Sequence, residues 1–92
     1  MIVLTGRLIC ADAAEAALVA EHLPRHVALT LAEPGCISFT VVQTADPLVW
    51  QVDECFTDRA AFEAHQARTR ASMWASATAA IRRDFTTRDT DA

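Results

Sequence analysis

Candidate chemistry is concentrated at the end of a predicted strand and on the helix that follows it. Glu54 lies near the end of the strand, and His65 lies three residues after Phe62 on the helix. Residues three apart share a helix face, and Phe62 is expected to be buried, so His65 should point into the space between sheet and helices. An imidazole there could accept a proton near neutral pH. The alternative is a structural histidine that bonds to a backbone carbonyl or to Glu54.

Glu54 places a carboxylate on a strand face that is otherwise apolar. It shares strand parity with Trp50 and Phe56. Burial would raise its pKa, and a basic neighbour would lower it. We predict that Glu54 orients His65 or contacts a substrate. The alternatives are an ion pair with Arg7 and simple exposure at the strand end.

Bulky side chains elsewhere could form the walls of a pocket beside these two groups. The indole N–H of Trp74 could donate to a phenolate, and its ring could stack on a flat substrate. The predicted wall residues are Phe39, Trp50, Phe62, Met73 and Trp74. For Trp50 core packing is the favoured alternative, and Trp74 could instead lie in a contact between subunits.

A metal site is not predicted. His22 and His26 have the four-residue spacing that can hold a metal, but Pro24 lies between them and no third ligand is evident. The three cysteines form no C-x-x-C pair, so we expect reduced thiols in a cytoplasmic protein.

Local patterns predict the elements that position these residues. Strand patterns and turn residues give strands over 2–9, 36–44 and 48–56, and a short last strand over 84–88. The first helix is capped by Asp12 with Glu15 and runs towards Leu31. Its predicted apolar stripe is Val19, Leu23, Val27 and Leu31.

Breaks in these elements are predicted from Pro, Gly and capping residues. Pro24 should kink or split the first helix. Gly35 could take a positive φ where the chain reverses. Thr57 or Asp58 should cap the second helix, and Thr69 a further helix that reaches Arg83.

The resulting order is β-α-β-β-α-β, the ferredoxin-like α+β arrangement with an antiparallel sheet. We expect one domain over 1–88 and a polar tail over 89–92. Helices cover one face of such a sheet, and 52% of the residues are apolar, so a homodimer is predicted to cover the other face. The candidates for that covered face are Val3, Thr5, Val41, Val49 and Cys55.

Charge and composition exclude two classes of partner. The net charge is −4, and the chain has no basic patch and no tyrosine, which argues against nucleic-acid binding. No apolar run reaches the length of a membrane span, so no membrane partner is predicted.

The chain resembles the antibiotic biosynthesis monooxygenase family of dimeric α+β barrel proteins. The resemblance rests on Glu33-Pro34-Gly35-Cys36, on Phe39, on Glu54 and on the segment Asp58–His65. It implies a pocket in each protomer between the sheet and the helices. Some members oxygenate polyphenols or quinols with O₂ and no cofactor, which requires a dry cavity, a proton acceptor and a donor for the oxyanion. Others degrade haem.

The chain departs from the family pattern at the residues that haem-degrading members use. Those members carry an asparagine near the end of the first strand, a tryptophan on the second helix and a haem-ligating histidine further along, where this chain has Gly6, His65 and Ala75. Cofactor-free oxygenases also often use that first-strand asparagine.

The resulting hypothesis is a cofactor-independent monooxygenase of small aromatic phenols or quinols. His65 would be the proton acceptor, and Glu54 its orienter or a second polar contact. The alternatives are a non-catalytic dimeric module that binds a small ligand, and an O₂-independent isomerase. Convergence of His65 and Glu54 on one cavity favours catalysis, whereas a cavity filled by Trp50 and Trp74 favours the binding module.

Overall fold

The structure, a computed structural model, describes residues 1–90. Its strands and helices are β1 (Ile2–Ile9), α1 (Ala13–Leu31), β2 (Cys36–Gln43), β3 (Val49–Phe56), α2 (Arg59–Arg70), α3 (Met73–Ala77) and β4 (Arg82–Asp89). The strands form one antiparallel sheet in the order β2-β3-β1-β4. This arrangement confirms the predicted ferredoxin-like α+β fold.

The sheet directs alternate side chains towards the helices. Leu4 pairs with Glu54, and Leu8 pairs with Trp50, and all four are buried. Val41 pairs with Val52 and packs against this core. Directly opposed residues share a sheet face, so the prediction that Val41 lies on the outer face is wrong.

The start of α1 confirms its predicted cap. The Asp12 side chain accepts a hydrogen bond from the Glu15 backbone N–H at 2.9 Å, and the Glu15 side chain accepts from the Ala11 N–H at 2.7 Å. The helix then runs without interruption through Pro24, so the predicted split does not occur.

The buried face of α1 differs from the predicted stripe. Val19, His26 and Thr30 are buried, whereas Leu31 is 55% exposed. His26 follows Val19 by seven residues, and this spacing returns to the same side of a helix. The second half of the predicted stripe is offset by one residue, because the prediction included the apolar Val27 and left out the polar His26.

The second half of the chain begins as predicted and then differs. Asp58 caps α2 and accepts a hydrogen bond from the Ala61 N–H at 2.8 Å. Thr69 does not cap the next helix, because α2 continues through it. Ser72 caps α3 instead.

The last strand is longer than its sequence pattern indicates. β4 pairs with β1 at all eight positions, although most of its side chains are polar and exposed. Backbone hydrogen bonding along the edge of β1 therefore sets its length, not apolar alternation. Asp89, predicted to lie in the tail, belongs to β4, and the Thr90 N–H donates to the Met1 carbonyl at 2.9 Å. Tail positions 91–92 lie outside the described residues.

Gly35 is needed for space and not for an unusual backbone conformation. It does not adopt a positive φ, contrary to the prediction. A Cβ built on Gly35 would overlap the Cβ of Ala61 on α2. The α1–β2 turn therefore lies against α2, the helix that carries His65. Within residues 1–90, no helix is both long and apolar enough to cross a membrane.

Candidate functional site

A cavity of about 270 Å³ lies between the inner face of the sheet and the helices. Its apolar wall comes from the sheet and from α3: Leu4, Leu8, Phe39, Val52, Trp74 and Phe85. Glu54 from β3 and His65 from α2 line the same cavity. The two residues proposed for chemistry therefore line the same cavity.

His65 lies between two carboxylates. Its side chain is almost fully buried, and Nδ1 lies 3.1 Å from each carboxylate oxygen of Glu33. A carboxylate only accepts hydrogen bonds, so Nδ1 carries the hydrogen and donates. In the neutral ring Nε2 then carries the lone pair and can accept a hydrogen bond. Nε2 lies 3.6 Å from Oε1 of Glu54 and 3.4 Å from Oγ1 of Thr69.

Glu33 is the site residue that sequence reasoning missed. It lies in the turn after α1, and its Oε1 also accepts a hydrogen bond from Nε of Arg68 at 2.6 Å. Nη2 of Arg68 donates to Oγ1 of Thr30 at 2.9 Å, which ties α2 to α1. The sequence indicated Glu33 as the first residue of the turn and as part of the segment that resembles the family, without a role in the site. Contact with a histidine thirty-two positions away has no sequence signal.

Glu54 is a buried carboxyl group with few hydrogen bonds to offset the cost of its burial. It is 7% exposed, and its Oε1 has no hydrogen-bond partner. Burial, reinforced by the nearby charge of Glu33, raises the pKa of Glu54 to about 7. The suggested ion pair with Arg7 does not form, because Arg7 pairs with Gln51 on the opposite face of the sheet.

The pKa values of Glu54 and His65 are therefore shifted in opposite directions. Burial lowers the pKa of His65, and the hydrogen bond and charge of Glu33 oppose that shift. Near neutral pH the imidazole is neutral, while Glu54 exchanges between its acid and its carboxylate. Groups whose pKa values are shifted by burial and by a nearby charge are typical of sites that move protons.

His26 is a second buried histidine at the cavity wall. Its ring stacks on Trp74 with centroids 4.8 Å apart and planes 4° apart, and its centroid is 5.9 Å from that of His65. Burial is the main cause that lowers the pKa of His26 to about 4, with Arg68 adding to the shift. Sequence reasoning considered His26 only as a metal ligand, although its spacing from Val19 could have indicated a buried position.

The other predicted wall residues divide into two groups. Phe39 and Trp74 line the cavity. Phe62 packs against Phe56 with ring centroids 5.7 Å apart, and Trp50 belongs to the hydrophobic core. Met73 is 67% exposed and faces a separate depression. Phe62, Trp50 and Met73 do not line the cavity.

The described residues show no metal centre. Among positions 1–90, no group of three His, Cys, Asp or Glu side chains could hold a metal ion. His26 turns inward onto Trp74, whereas His22 lies beside Glu21 at 3.8 Å.

Solved structures share this fold over nearly the whole chain. A candidate antibiotic biosynthesis monooxygenase from Nitrosomonas europaea is 20% identical, with 98% of each chain covered and a TM-score of 0.84. A second, from Deinococcus radiodurans, is 20% identical, with 100% of this chain and 94% of the other covered and a TM-score of 0.86. SnoaB from Streptomyces nogalater, a cofactor-independent oxygenase, is 18% identical, with 99% and 93% covered and a TM-score of 0.80. At these identities the likeness establishes the fold alone.

Sequence comparison assigns the family. No curated protein sequence matches the chain. The family model described as antibiotic biosynthesis monooxygenase matches residues 1–80, which include β1, the turn with Glu33, Glu54 and His65. The chain therefore belongs to the antibiotic biosynthesis monooxygenase family.

Proposed function

We propose that the protein is a cofactor-independent monooxygenase that oxidises a small aromatic phenol or quinol with O₂. The observation that carries this proposal is the convergence of Nε2 of His65 and the carboxyl group of Glu54 on one cavity lined by aromatic rings. The family membership and the shared fold with the oxygenase SnoaB support the same reaction class.

The first step is removal of the phenolic proton. Nε2 of His65 accepts it, and the carboxylate of Glu33 at Nδ1 stabilises the imidazolium that forms. Glu54 lies next to Nε2 and can hold or return a proton, because its pKa is near neutrality. Glu54 acts as the second polar contact, and Glu33 takes the orienting role first suggested for Glu54.

The electron-rich anion then reacts with O₂. One electron passes from the anion to O₂, and the resulting radical and superoxide combine at a ring carbon that bears hydrogen. The proton taken by His65 returns to the distal oxygen and gives a hydroperoxide. Loss of the C–H proton and cleavage of the O–O bond release water and leave a carbonyl. Substrate plus O₂ thus gives quinone-type product plus H₂O, without an external reductant.

The apolar walls suit this chemistry. Phe39, Trp74 and Leu8 present apolar surface to the anion, and a site with less water strengthens each polar contact inside it. At about 270 Å³ the cavity is near the lower end of small-molecule pockets, which span roughly 300–1,000 Å³. One or two fused rings are therefore the expected substrate size.

We also propose that the protein acts as a homodimer in the cytoplasm. Val42 is 60% exposed on the outer sheet face, and Ile37 is 52% exposed beside the bulge in β2. A second copy that covers the outer face would bury Val42. All three cysteines are free thiols, which fits a reducing compartment.

Oxygen uptake tests the proposed reaction. The protein, treated with a chelator and given no cofactor, is assayed with hydroquinones and naphthols. His65→Gln is preferred to His65→Ala because His65 is fully buried, and a glutamine fills more of its space. We expect uptake above the autoxidation rate, and a decrease of about 10²- to 10⁴-fold in His65→Gln, the usual contribution of a general base.

The matched control is His22→Gln, which changes a histidine on α1 that does not line this cavity. It should retain the wild-type rate. Full activity in His65→Gln would remove His65 from the mechanism. Turnover of a substrate without O₂, followed by NMR in deuterated buffer, would contradict oxygenation. It would indicate an isomerase that uses the same pair of groups.

A further inference from the structure

Arg83 is fixed at the cavity by the end of α3. It lies on β4, and its side chain lines the cavity. Nη1 donates to the carbonyls of Thr78 at 2.8 Å and Ile81 at 3.0 Å, and Nη2 donates to Oγ1 of Thr78 at 2.7 Å. Its guanidinium is therefore held in one place before any ligand binds.

These bonds leave one edge of the guanidinium free. Nη1 and Nη2 both reach Thr78, so the edge between them faces that residue, and the second Nη1 hydrogen is used by Ile81. One hydrogen on Nε and one on Nη2 are left. They lie side by side, and such a pair of parallel N–H groups matches the two oxygens of a carboxylate.

Arg83 also has no counter-ion in the described chain. Within residues 1–90, no carboxylate oxygen lies within 4.0 Å of Arg83 or of Arg70, which lines the same cavity. Burial lowers the pKa of Arg83, and no acidic group offsets this. Both arginines are exposed to solvent at the cavity, so a bound anion would gain a charge-assisted contact with groups that are already accessible.

The sheet register places Arg83 at the corner of the cavity opposite the proton-transfer groups. Arg83 pairs with Leu8, and Glu54 pairs with Leu4. Four residues along a strand span about 13 Å, and β4 and β3 are two strands apart, which adds about 10 Å across the sheet. His26 lies between these two ends of the cavity. Its ring is near that of His65, and the charge of Arg83 helps to lower its pKa.

We propose that Arg83, with Arg70, forms an anion subsite and that the substrate is an aromatic phenol or quinol bearing a carboxylate at the end remote from its reacting hydroxyl. The position of the hydroxyl rests on the proposed function. Binding of the carboxylate does not depend on turnover. The cavity thus orients the ring by charge at one end and by proton transfer at the other.

The test compares two ligands that differ only in charge. They are a hydroxynaphthoate with its two groups at opposite ends of the ring system, and the corresponding hydroxynaphthamide. Binding is measured by calorimetry and by quenching of tryptophan fluorescence, to which Trp74 at the cavity contributes. A side-on bond to a charged group predicts that the acid binds about tenfold or more tightly than the amide.

Variants assign the preference to the proposed residues. Arg83→Gln should bring the acid to near the affinity of the amide, and Arg70→Gln should reduce the preference in part. Arg82→Gln is the matched control, because Arg82 is the next residue on β4 and points to the opposite sheet face. If Arg83→Gln fails to fold, Arg83→Lys, which keeps the charge and loses the paired N–H groups, should show a reduced preference.

The proposal and the proposed oxygenation fail in different ways. Equal affinity for acid and amide in the wild-type protein, or binding of neither, would overturn the anion subsite. An equal loss in Arg82→Gln would do the same. Selective binding of the acid without oxygen uptake from any phenol would leave the subsite standing and reject the oxygenase reaction.

Discussion

Nδ1 of His65 lies 3.1 Å from both carboxylate oxygens of Glu33. This contact joins the turn after α1 to the middle of α2, and it leaves Nε2 directed at Glu54. An imidazole held by a carboxylate on one nitrogen has one defined tautomer, with the lone pair on the other. The contact thus turns a buried histidine into an oriented base.

Glu33→Gln should weaken that base. The pKa of His65 should fall further below its usual value, because Glu33 raises it and Arg68 lowers it. Loss of a charge-assisted bond of about 1.5–3 kcal/mol should slow turnover by roughly 10- to 100-fold. The ¹⁵N chemical shifts of His65 across a pH titration, together with the oxygen-uptake rate, measure both effects.

The control for this variant is Glu63→Gln, a change of an exposed carboxylate on α2. Its His65 shifts should match the wild-type protein. An unchanged His65 titration in Glu33→Gln would show that the contact does not set the protonation of the ring.

Glu54→Gln should change how stability depends on pH. The folded-state pKa of Glu54 is about 7, against an ordinary value of 4.5, so the folded protein binds the proton more tightly than the unfolded chain. Its stability contribution is complete below about 4.5 and is lost as the pH rises towards 7, by at most ~3 kcal/mol. Urea denaturation of both proteins should show Glu54→Gln gaining relative stability across that window. A constant difference between them would contradict the buried, protonated carboxyl group.

His26→Phe should change the stability of the protein at acidic pH. The pKa of His26 is lowered from 6.5 to about 4, so the unfolded chain takes up the proton first. Stability is complete above about 6.5 and declines as the pH falls towards 4, by at most ~3 kcal/mol. A phenylalanine can retain the stacking on Trp74 and cannot be protonated. We expect the variant to resist acid denaturation better than the wild-type protein, with little difference between them at pH 8.

Gly35→Ala should destabilise the fold through a direct overlap with Ala61. Overpacking of this kind costs about 1–3 kcal/mol. The second substitution Ala61→Gly removes the Cβ that is struck, so the double variant should recover much of the loss. Thermal unfolding of the four proteins measures the coupling. Equal destabilisation in the single and double variants would point to the backbone of Gly35 instead.

Local sequence patterns were sufficient for much of the fold. Alternating apolar residues predicted β1 and β3, and the side chains of Asp12 and Asp58 predicted the starts of two helices. These features depend on contacts within a few residues, so they can be predicted from sequence alone. β4 could not be predicted at full length, because its extent depends on pairing with β1 and its own side chains are mostly polar.

The candidate site also contains residues that the sequence predicted and residues that only the structure revealed. The spacing of His65 from Phe62 and the strand parity of Glu54 were enough to direct both residues towards the interior. Their partners Glu33, His26 and Arg83 emerged only from the tertiary structure. Sheet register and helix packing bring these distant residues together. Burial then shifts the pKa values of Glu54, His65 and His26, and this shift is not encoded in local spacing.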